Sequence, residues 1–472
     1  MTAVDVHPGL DMLLTDLCDG PLDSWDAPAG PPPVDSPTYR DALAAAQARS
    51  GHDESVRTGE ARIGGHRIGV IAGDFAFLAG SVGVRAADRI VAAVERATAD
   101  GLPLLGIAAS GGTRMQEGAP AFLRMAAIAA AIAAHRRAGL PYLTYLRHPT
   151  TGGVFASWGS LGHVTLAEPG ALVGFLGPKV YAALHGAPFP ADVQTAEHLH
   201  QHGLVDAVVA PHDLRAMVRR VLDLLAAPAA PTLPAPAEPP PTAPDAWTCV
   251  TATRDPARPG LREVLRHADG VVELAPAPGA VLALARFGGT SCVLVGHDRS
   301  DPAPAGPAAL RLVLRAAELA TELGLALVTV VDTGGAELSV AAEEQGTAQL
   351  IARCLATLTG LPVPSVSVLL GQGAGGAALA LLPADRVLAA RHSWIAPVPP
   401  EGASAVLHGT IDRAAELAAA QHIRAVDLGV ADAFVDDSDL AALPGRVADA
   451  IGVQLRAAAA TPSTNRRRLL PG

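Results

Sequence analysis

Four glycine pairs carry the spacing that points most directly to chemistry: Gly111-Gly112, Gly152-Gly153, Gly334-Gly335 and Gly375-Gly376. Within each half the pairs lie 41 residues apart (111 to 152, 334 to 375), and the halves are offset by 223 (111 to 334, 152 to 375). Each pair stands where an apolar strand pattern gives way to a helical one. Lacking a Cβ, the backbone there can approach a ligand closely. The free N–H groups and partial positive charge of the following helix then form an anion site that needs no charged side chain. A developing enolate oxygen is one anion such a site can hold, and preorganised donors of this kind are worth about 3 kcal/mol each in a transition state. A glycine pair after a strand is also an ordinary tight turn, but duplicated spacing weakens that reading. Gly371–Gly376 reads GQGAGG, formally GxGxxG. The acidic residue that a dinucleotide site places about 20 residues on is missing, and no P-loop lysine follows, so nucleotide binding is a weak alternative.

The elements that must position these pairs alternate between strand and helix. In the first half the pattern predicts two strands split by a turn at Gly64-Gly65, the second over Arg67–Ala72. A helix over Ala86–Ala99, a strand over Leu104–Ala109, a helix over Ala119–Ala138 and a strand over Tyr142–Leu146 follow. The second half repeats this: strands over Val281–Leu284 and Ser291–Val295, a helix over Ala308–Leu323, a strand over Leu325–Val331, a helix over Glu344–Leu358 and a strand over Val366–Leu370. A tandem duplication explains the repeat.

The length of 472 residues suits two domains. Residues 1–55 read as an irregular leader with a short helix at Tyr39–Arg49, 56–226 as the first domain, and 227–246 as a stiff Pro/Ala linker. Residues 247–460 read as the second domain and 461–472 as a frayed tail. Hydrophobic residues make up 50% and aromatics only 3%, so the cores are built from Ala, Val, Leu and Ile. With 35 basic residues against 46 acidic ones the formal charge is −11, which argues against nucleic acid or an anionic membrane as the main partner. Lys179 is the sole lysine, so an anionic ligand would be met by arginine, by Lys179 or by backbone N–H groups. Cys18, Cys249, Cys292 and Cys354 are too scattered for a zinc ribbon and read as free, buried thiols of a cytoplasmic protein. The N-terminus lacks the basic region of a signal peptide. The alanine run Ala126–Ala134 is too short to cross a membrane.

At the glycine pairs the chain resembles the carboxyltransferase component of acetyl-CoA carboxylase. The first half is similar to the bacterial β subunit at ASGGTRMQEG (Ala109–Gly118), PTTGGVFASW (Pro149–Trp158), AEPGALVGFLGPKV (Ala167–Val180) and AEHLHQHGLVDAVV (Ala196–Val209). The second half is similar to the α subunit at TRDPARPGLREVL (Thr253–Leu265), ARFGGTSCVLVGHDR (Ala285–Arg299), VDTGGAELSVAAEEQG (Val331–Gly346), GQGAGGAALAL (Gly371–Leu381) and PPEGASAVL (Pro399–Leu407). The chain thus looks like a natural β–α fusion.

The resemblance implies an α/β fold of two tandem crotonase-like β-β-α superhelix domains. It implies transfer of CO2 from carboxybiotin on a separate carrier protein to acetyl-CoA, giving malonyl-CoA for fatty acid biosynthesis, with a biotin carboxylase as a further partner. By resemblance the first half binds the acyl-CoA and the second the biotin, at a contact between subunits of a homodimer or larger oligomer. The family's oxyanion donors map onto Gly152 and Gly153 for the thioester enolate and onto Gly376 and Ala377 for the biotin ureido oxygen. Gly111, Gly112 and Gly174 are expected to line the acyl side, with Phe155 and Phe175 limiting chain length; Gly334, Gly335 and Gly375 are expected on the biotin side. The enolate left on biotin can itself take the α-proton, so the protein need only orient the partners and stabilise two oxyanions.

Two departures matter. Bacterial β subunits usually begin with a four-cysteine zinc module; here only Cys18 is near the start, so neither zinc nor another metal is expected. The usual DTPGAYPG is DTGGAELS at Asp332–Ser339, which alters a wall of the biotin side. That change leaves room for a catalytically degenerate scaffold subunit. A biotin-independent decarboxylase or hydratase would instead need a carboxylate or histidine between the glycine pairs. Among side chains, Ser110 reads as a turn serine with no paired His/Asp. Lys179 and Arg114 could meet CoA phosphates, although Glu117 offers Arg114 a structural ion pair. Glu401 reads as a loop carboxylate near a helix start, and His297 as a strand-end surface residue.

Overall fold

Two antiparallel strands start the first sheet, β2 (Val56–Ile63) and β3 (His66–Gly73), after a short β1 (Asp23–Ser24) that pairs with β2. Gly64 and Gly65 supply the positive φ (57° and 89°) that a two-residue hairpin turn requires. This is a computed structural model; it describes residues 8–177, 181–182, 185–190, 192–226, 244–301 and 303–460. The chain divides into two compact units, Met1–Asp223 and Leu224–Gly472.

In the first unit the sheet continues in parallel through β4 (Leu104–Ser110), β5 (Tyr142–Thr151), β6 (Val164–Ala167) and β8 (Ala207–Val208). A short β7 (Val173–Gly174) pairs with the far end of β5. β4 is buried along its whole length and is accordingly a continuous apolar run to Ala109, whereas β5 is apolar at its start and comes to the surface at His148. Helix Val84–Ala99 turns Ile90, Ala93, Val94 and Ala97 into the core, and helix Gly118–Arg137 turns Ala121, Met125, Ile128 and Ile132 inward. The stretch Met115–Arg137 is long and apolar enough to cross a membrane by length and composition alone. Its inward stripe packs in the core cluster, as a helix of a β–α layer does.

The second unit repeats the plan: β9 (Gly270–Glu273), β10 (Ala280–Phe287) and β11 (Thr290–His297) are antiparallel neighbours. β12 (Ala326–Thr333), β13 (Ser365–Ala374), β14 (Arg386–Ala390) and β16 (Ala433–Val435) continue in parallel, with β15 (Trp394–Ala396) on the end of β13. The 223-residue offset carries β5 (142–151) onto β13 (365–374) without remainder. Helix Glu344–Leu358 of the sequence reading is two helices, Val340–Glu344 and Thr347–Thr359. They are broken at Gly346, whose φ is 76°.

The described part of the leader carries two helices. Helix Leu10–Leu17 buries Leu10, Leu13, Leu14 and Leu17, and helix Pro37–Ser50 covers and extends the expected Tyr39–Arg49. Most of the expected linker, 227–243, and the tail 461–472 lie outside the described residues, as does Lys179. The linker's last residue, Ala246, is already helical: the Asp245 carboxylate accepts the N–H groups of Trp247 and Thr248 and starts helix Ala246–Thr253.

Leu13 and Leu17 are each 1% exposed, so the leader contributes to the core of its unit. Leu13→Ala is expected to destabilise the protein by about 2–4 kcal/mol, read as a lower urea midpoint; an unchanged midpoint would mean that the leader is not packed.

Candidate active site

Each unit carries one strand irregularity at an equivalent place. β4 and β5 keep register from Leu104↔Tyr142 to Ala108↔Leu146, then slip so that Ser110 faces Thr150. β12 and β13 keep register from Leu327↔Ser365 to Val331↔Leu369, then slip so that Thr333 faces Gly373. At each slip a hydroxyl closes a local turn. Ser110 Oγ accepts the Gly112 N–H at 3.0 Å, and Thr333 Oγ1 accepts that of Gly335 at 3.1 Å. Ser110 Oγ also donates to the Gly80 carbonyl at 2.5 Å. It is a turn serine.

The turns place Gly112 at φ 109° and Gly335 at φ 137°; Gly152 and Gly375, which start the helices after β5 and β13, stand at 62° and 72°. One glycine of each pair therefore occupies the region that side chains disfavour. A second link repeats too: Val82 bridges Thr113 in the first unit, and Ala305 bridges Ala336 in the second.

The first unit brings two of its turns together. A Cβ on Gly112 would lie 3.4 Å from the Thr151 oxygen and 3.7 Å from the Gly153 nitrogen. The N–H of Gly152 donates to the Phe175 carbonyl at 3.1 Å, so the expected pair of donors is corrected: Gly152 makes the turn. Gly153 and Val154 follow with first-turn N–H groups that have no intrahelical acceptor. Thr113, which the sequence reading passed over, stands beside this position; a Cβ on Gly153 would lie 2.8 Å from its Oγ1. Its only sequence signal was its place next to a glycine pair. Gly174 pairs with Thr151 on the edge of the turn. Phe155 is half-buried against the core, whereas Phe175 is 68% exposed.

Arg114 is not placed to meet CoA phosphates. It is 0% exposed and ion-paired to Glu54 and Glu117, so its guanidinium has no free face.

In the second unit a cleft of about 440 Å3 is walled by the Thr333-Gly334-Gly335 turn and by His297, Arg299 and Gln372. Buried Asp332 ties these walls together: Oδ1 accepts the Gln372 N–H and Oδ2 accepts Arg299, both at 3.1 Å. Burial pushes its carboxyl up, against the pull of Arg299. Arg254 donates to Gln372 Oε1 at 3.2 Å and grips Glu401 with two bonds of 2.5 and 3.0 Å. That pair holds the Glu401 carboxyl below its usual range, in the first turn of helix Pro400–His408. Gly375 and Gly376 start helix Gly375–Leu379; Ala377 is buried in it, and a Cβ on Gly376 would lie 2.8 Å from Ile351 Cδ1. Among the described residues no group of three or more His, Cys, Asp or Glu could hold a metal ion.

The carboxyl transferase domain family matches residues 35–463 of this chain. The chain belongs to that family. The Mycobacterium tuberculosis protein named "Probable biotin-dependent acyl-coenzyme A carboxylase beta3 subunit" is 54% identical over 467 residues, covering 95% of this chain and 94% of that one. The "Acetyl-coenzyme A carboxylase carboxyl transferase subunits beta/alpha" of Salinispora arenicola is 41% identical, covering 86% of this chain and 77% of that one. Among solved structures, a transcarboxylase 12S with methylmalonyl-coenzyme A bound superposes with a TM-score of 0.80 at 22% identity, over 97% of this chain and 91% of that one. A single-chain, multi-domain long-chain acyl-CoA carboxylase superposes with a TM-score of 0.68 at 20% identity, over 93% of this chain and 45% of that one. The carboxyl transferase fold is crotonase-like in both units.

His297 departs from the surface position expected for it. It is 4% exposed at the end of β11, and its Nδ1 accepts the Asp332 N–H at 3.3 Å. Burial pushes the imidazole down to about 4. An unfolded histidine titrates near about 6.5, so between those values the unfolded chain takes a proton that the folded unit refuses. Stability contributed by His297 is present above about 6.5 and is lost as pH falls toward about 4. Asp332, raised by burial, works in the opposite direction. His297→Gln keeps an acceptor without titrating, so its melting temperature is expected to fall less steeply than the wild type's across that window. Parallel curves for the two proteins would refute the buried, neutral histidine.

Proposed function

We propose that this protein is a biotin-dependent acyl-CoA carboxyltransferase that moves CO2 from carboxybiotin on a carrier protein to the α-carbon of a short acyl-CoA, acetyl-CoA included. The observation that carries this reading is the duplicated turn: two helix starts, each behind a glycine of positive φ, and each free of a titratable side chain on the glycines themselves. Transfer of a carboxyl group between two carbonyl compounds develops charge on two oxygens, and two preorganised N–H sites match that demand.

In this reading Gly153, backed by Gly112 and Gly152, holds the thioester oxygen. Gly376 and Ala377 hold the ureido oxygen of biotin. Carboxybiotin, on giving up CO2, would itself supply the acceptor for the α-proton, so no histidine or carboxylate base of this chain is called for. Biotin fits the second unit because its Gly334-Gly335 turn opens on a cleft that Gln372 and Arg299 also line. The relatives' names support the acyl-CoA and biotin assignments: one is a beta subunit of a biotin-dependent acyl-coenzyme A carboxylase, the other an acetyl-coenzyme A carboxylase carboxyl transferase. A biotin carboxylase and a carrier protein are the partners that the reaction needs.

Both turns are rimmed by exposed apolar side chains at equivalent positions. Met115 (85% exposed) corresponds to Leu338 (95%) and Phe175 to Val398, each 223 residues on. Apolar rims of this kind mark interaction surfaces, and we assign them to a second copy of the chain, in a homodimer or larger assembly that completes the sites. The protein works in the cytoplasm, where its four buried cysteines, all free, stay reduced.

The test is carboxyl transfer from carboxybiotinylated carrier to a panel of acyl-CoAs. At least one short acyl-CoA is expected to be carboxylated, and Gly152→Val is expected to cut kcat by about 100-fold or more, since a side chain at φ 62° displaces the donor turn. No product from any acyl-CoA would overturn the proposal; an unchanged rate for Gly152→Val would remove that turn from the mechanism.

A further inference from the structure

We infer that Arg114 is a positioning residue whose buried ionic cluster, completed by the leader residues Tyr39 and Glu54, holds Gly112 against the Gly152-Gly153 turn. The inference rests on the reading of that turn as the acyl-side oxyanion site.

The side chains of Arg114, Glu54 and Glu117 are all fully buried. One guanidinium nitrogen of Arg114 donates to Glu54 at 3.1 Å, to the Tyr39 oxygen at 3.3 Å and to Glu117 at 3.4 Å. The other donates to Glu54, to Ser55 Oγ at 3.1 Å and to the Ser81 carbonyl at 2.8 Å. The Tyr39 hydroxyl donates to Glu117, whose second oxygen accepts the Val84 N–H at 2.5 Å. Arg85, 3.3 Å from Glu54, supplies a second cation, so two guanidinium groups meet two carboxylates. The cluster is joined to the site through the backbone. The Arg114 N–H donates to the Val82 carbonyl and the Val82 N–H to the Gly112 carbonyl, both at 2.9 Å.

The second unit shows that the fold does not need the cluster. It keeps the same backbone link, with the Glu337 N–H donating to the Ala305 carbonyl at 3.1 Å. Yet the positions equivalent to Arg114 and Glu117, 223 residues on, are Glu337 and Val340, and Val340 is 75% exposed. A buried ion cluster gives little net stability over apolar packing. Its presence in one repeat alone, two residues from Gly112, points to geometry as its task.

The cluster is tested with Tyr39→Phe and Arg114→Lys in the full chain, with Leu13→Ala as a control that loosens the same unit at a residue outside the cluster. Three quantities are read: kcat, the KM for the carboxybiotinylated carrier, and hydrogen exchange of residues 111–117. Tyr39→Phe, which removes one hydroxyl, is expected to lower kcat about tenfold, and Arg114→Lys about 100-fold, with the carrier KM within twofold of wild type. Exchange in 111–117 is expected to quicken at least tenfold in both, and Leu13→Ala is expected to change neither kcat nor that exchange. Wild-type kcat in Tyr39→Phe, or unchanged exchange in it, would overturn the inference whether or not Arg114→Lys folds. If the wild type carboxylates no acyl-CoA, the failure belongs to the proposed function, and the exchange of Tyr39→Phe alone decides the clamp.

Discussion

A backbone that leaves a parallel sheet and heads for a helix has to reverse direction, and it does so in a positive-φ conformation that side chains disfavour. Here that happens at Gly112, Gly152, Gly335 and Gly375, all with φ between 62° and 137°. A non-glycine residue in such conformations is strained by about 1–3 kcal/mol. The rest of each site follows from this constraint. The parallel register slips just before the turn, a serine or threonine hydroxyl closes it, and a helix of four or five residues starts on the second glycine turn. The first-turn N–H groups, which have no intrahelical acceptor, are the donors that the proposed chemistry uses.

The duplication preserved this backbone and let the surroundings diverge. In the first unit the Gly112 loop is joined to a charge-balanced cluster, fully buried at Arg114, Glu54 and Glu117, that recruits the leader. In the second, the Gly335 loop carries Leu338 and Val340 on the outside, and order comes from the other side of the cleft. There Arg254, Arg299, Asp332, Gln372 and Glu401 form one connected chain of hydrogen bonds. In the proposed reading this contrast separates two jobs: the thioester oxygen meets the turn backed by the cluster, and the carrier-borne group meets the open cleft. The DTGGAELS departure falls on the loop that the buried cluster does not hold.

Periodicity alone located most of the sheet and helix scaffold, because continuous apolar runs and three-to-four spacing survive in an alanine-rich chain. Helix Ala86–Ala99 extends only two residues further, and β5 was underestimated because Arg147, His148 and Pro149 interrupt its apolar run. Helix Leu10–Leu17 was missed: it is eight residues long and includes two aspartates, so its apolar stripe is visible only beside what it packs on. His297 looked like a strand-end surface residue next to Asp298 and Arg299, but the Asp332 N–H that it accepts comes from a neighbouring strand. The partners of Arg114 beyond Glu117 were illegible for the same reason. Tyr39 and Glu54 stand 75 and 60 residues away in sequence, and nothing local announces them. The glycine pairs were legible because their requirement is local: a backbone conformation that only one residue type adopts freely.

The central claim is that the two turns act on different oxygens, and the most direct test separates them in a partial reaction. Release of CO2 from carboxybiotinylated carrier can be followed without any acyl-CoA, in Gly153→Ala and Gly376→Ala. The account predicts that Gly376→Ala slows this release by about 100-fold, while Gly153→Ala leaves it within twofold yet stops transfer once acyl-CoA is added. Equal slowing of the acyl-free release by both substitutions would contradict it.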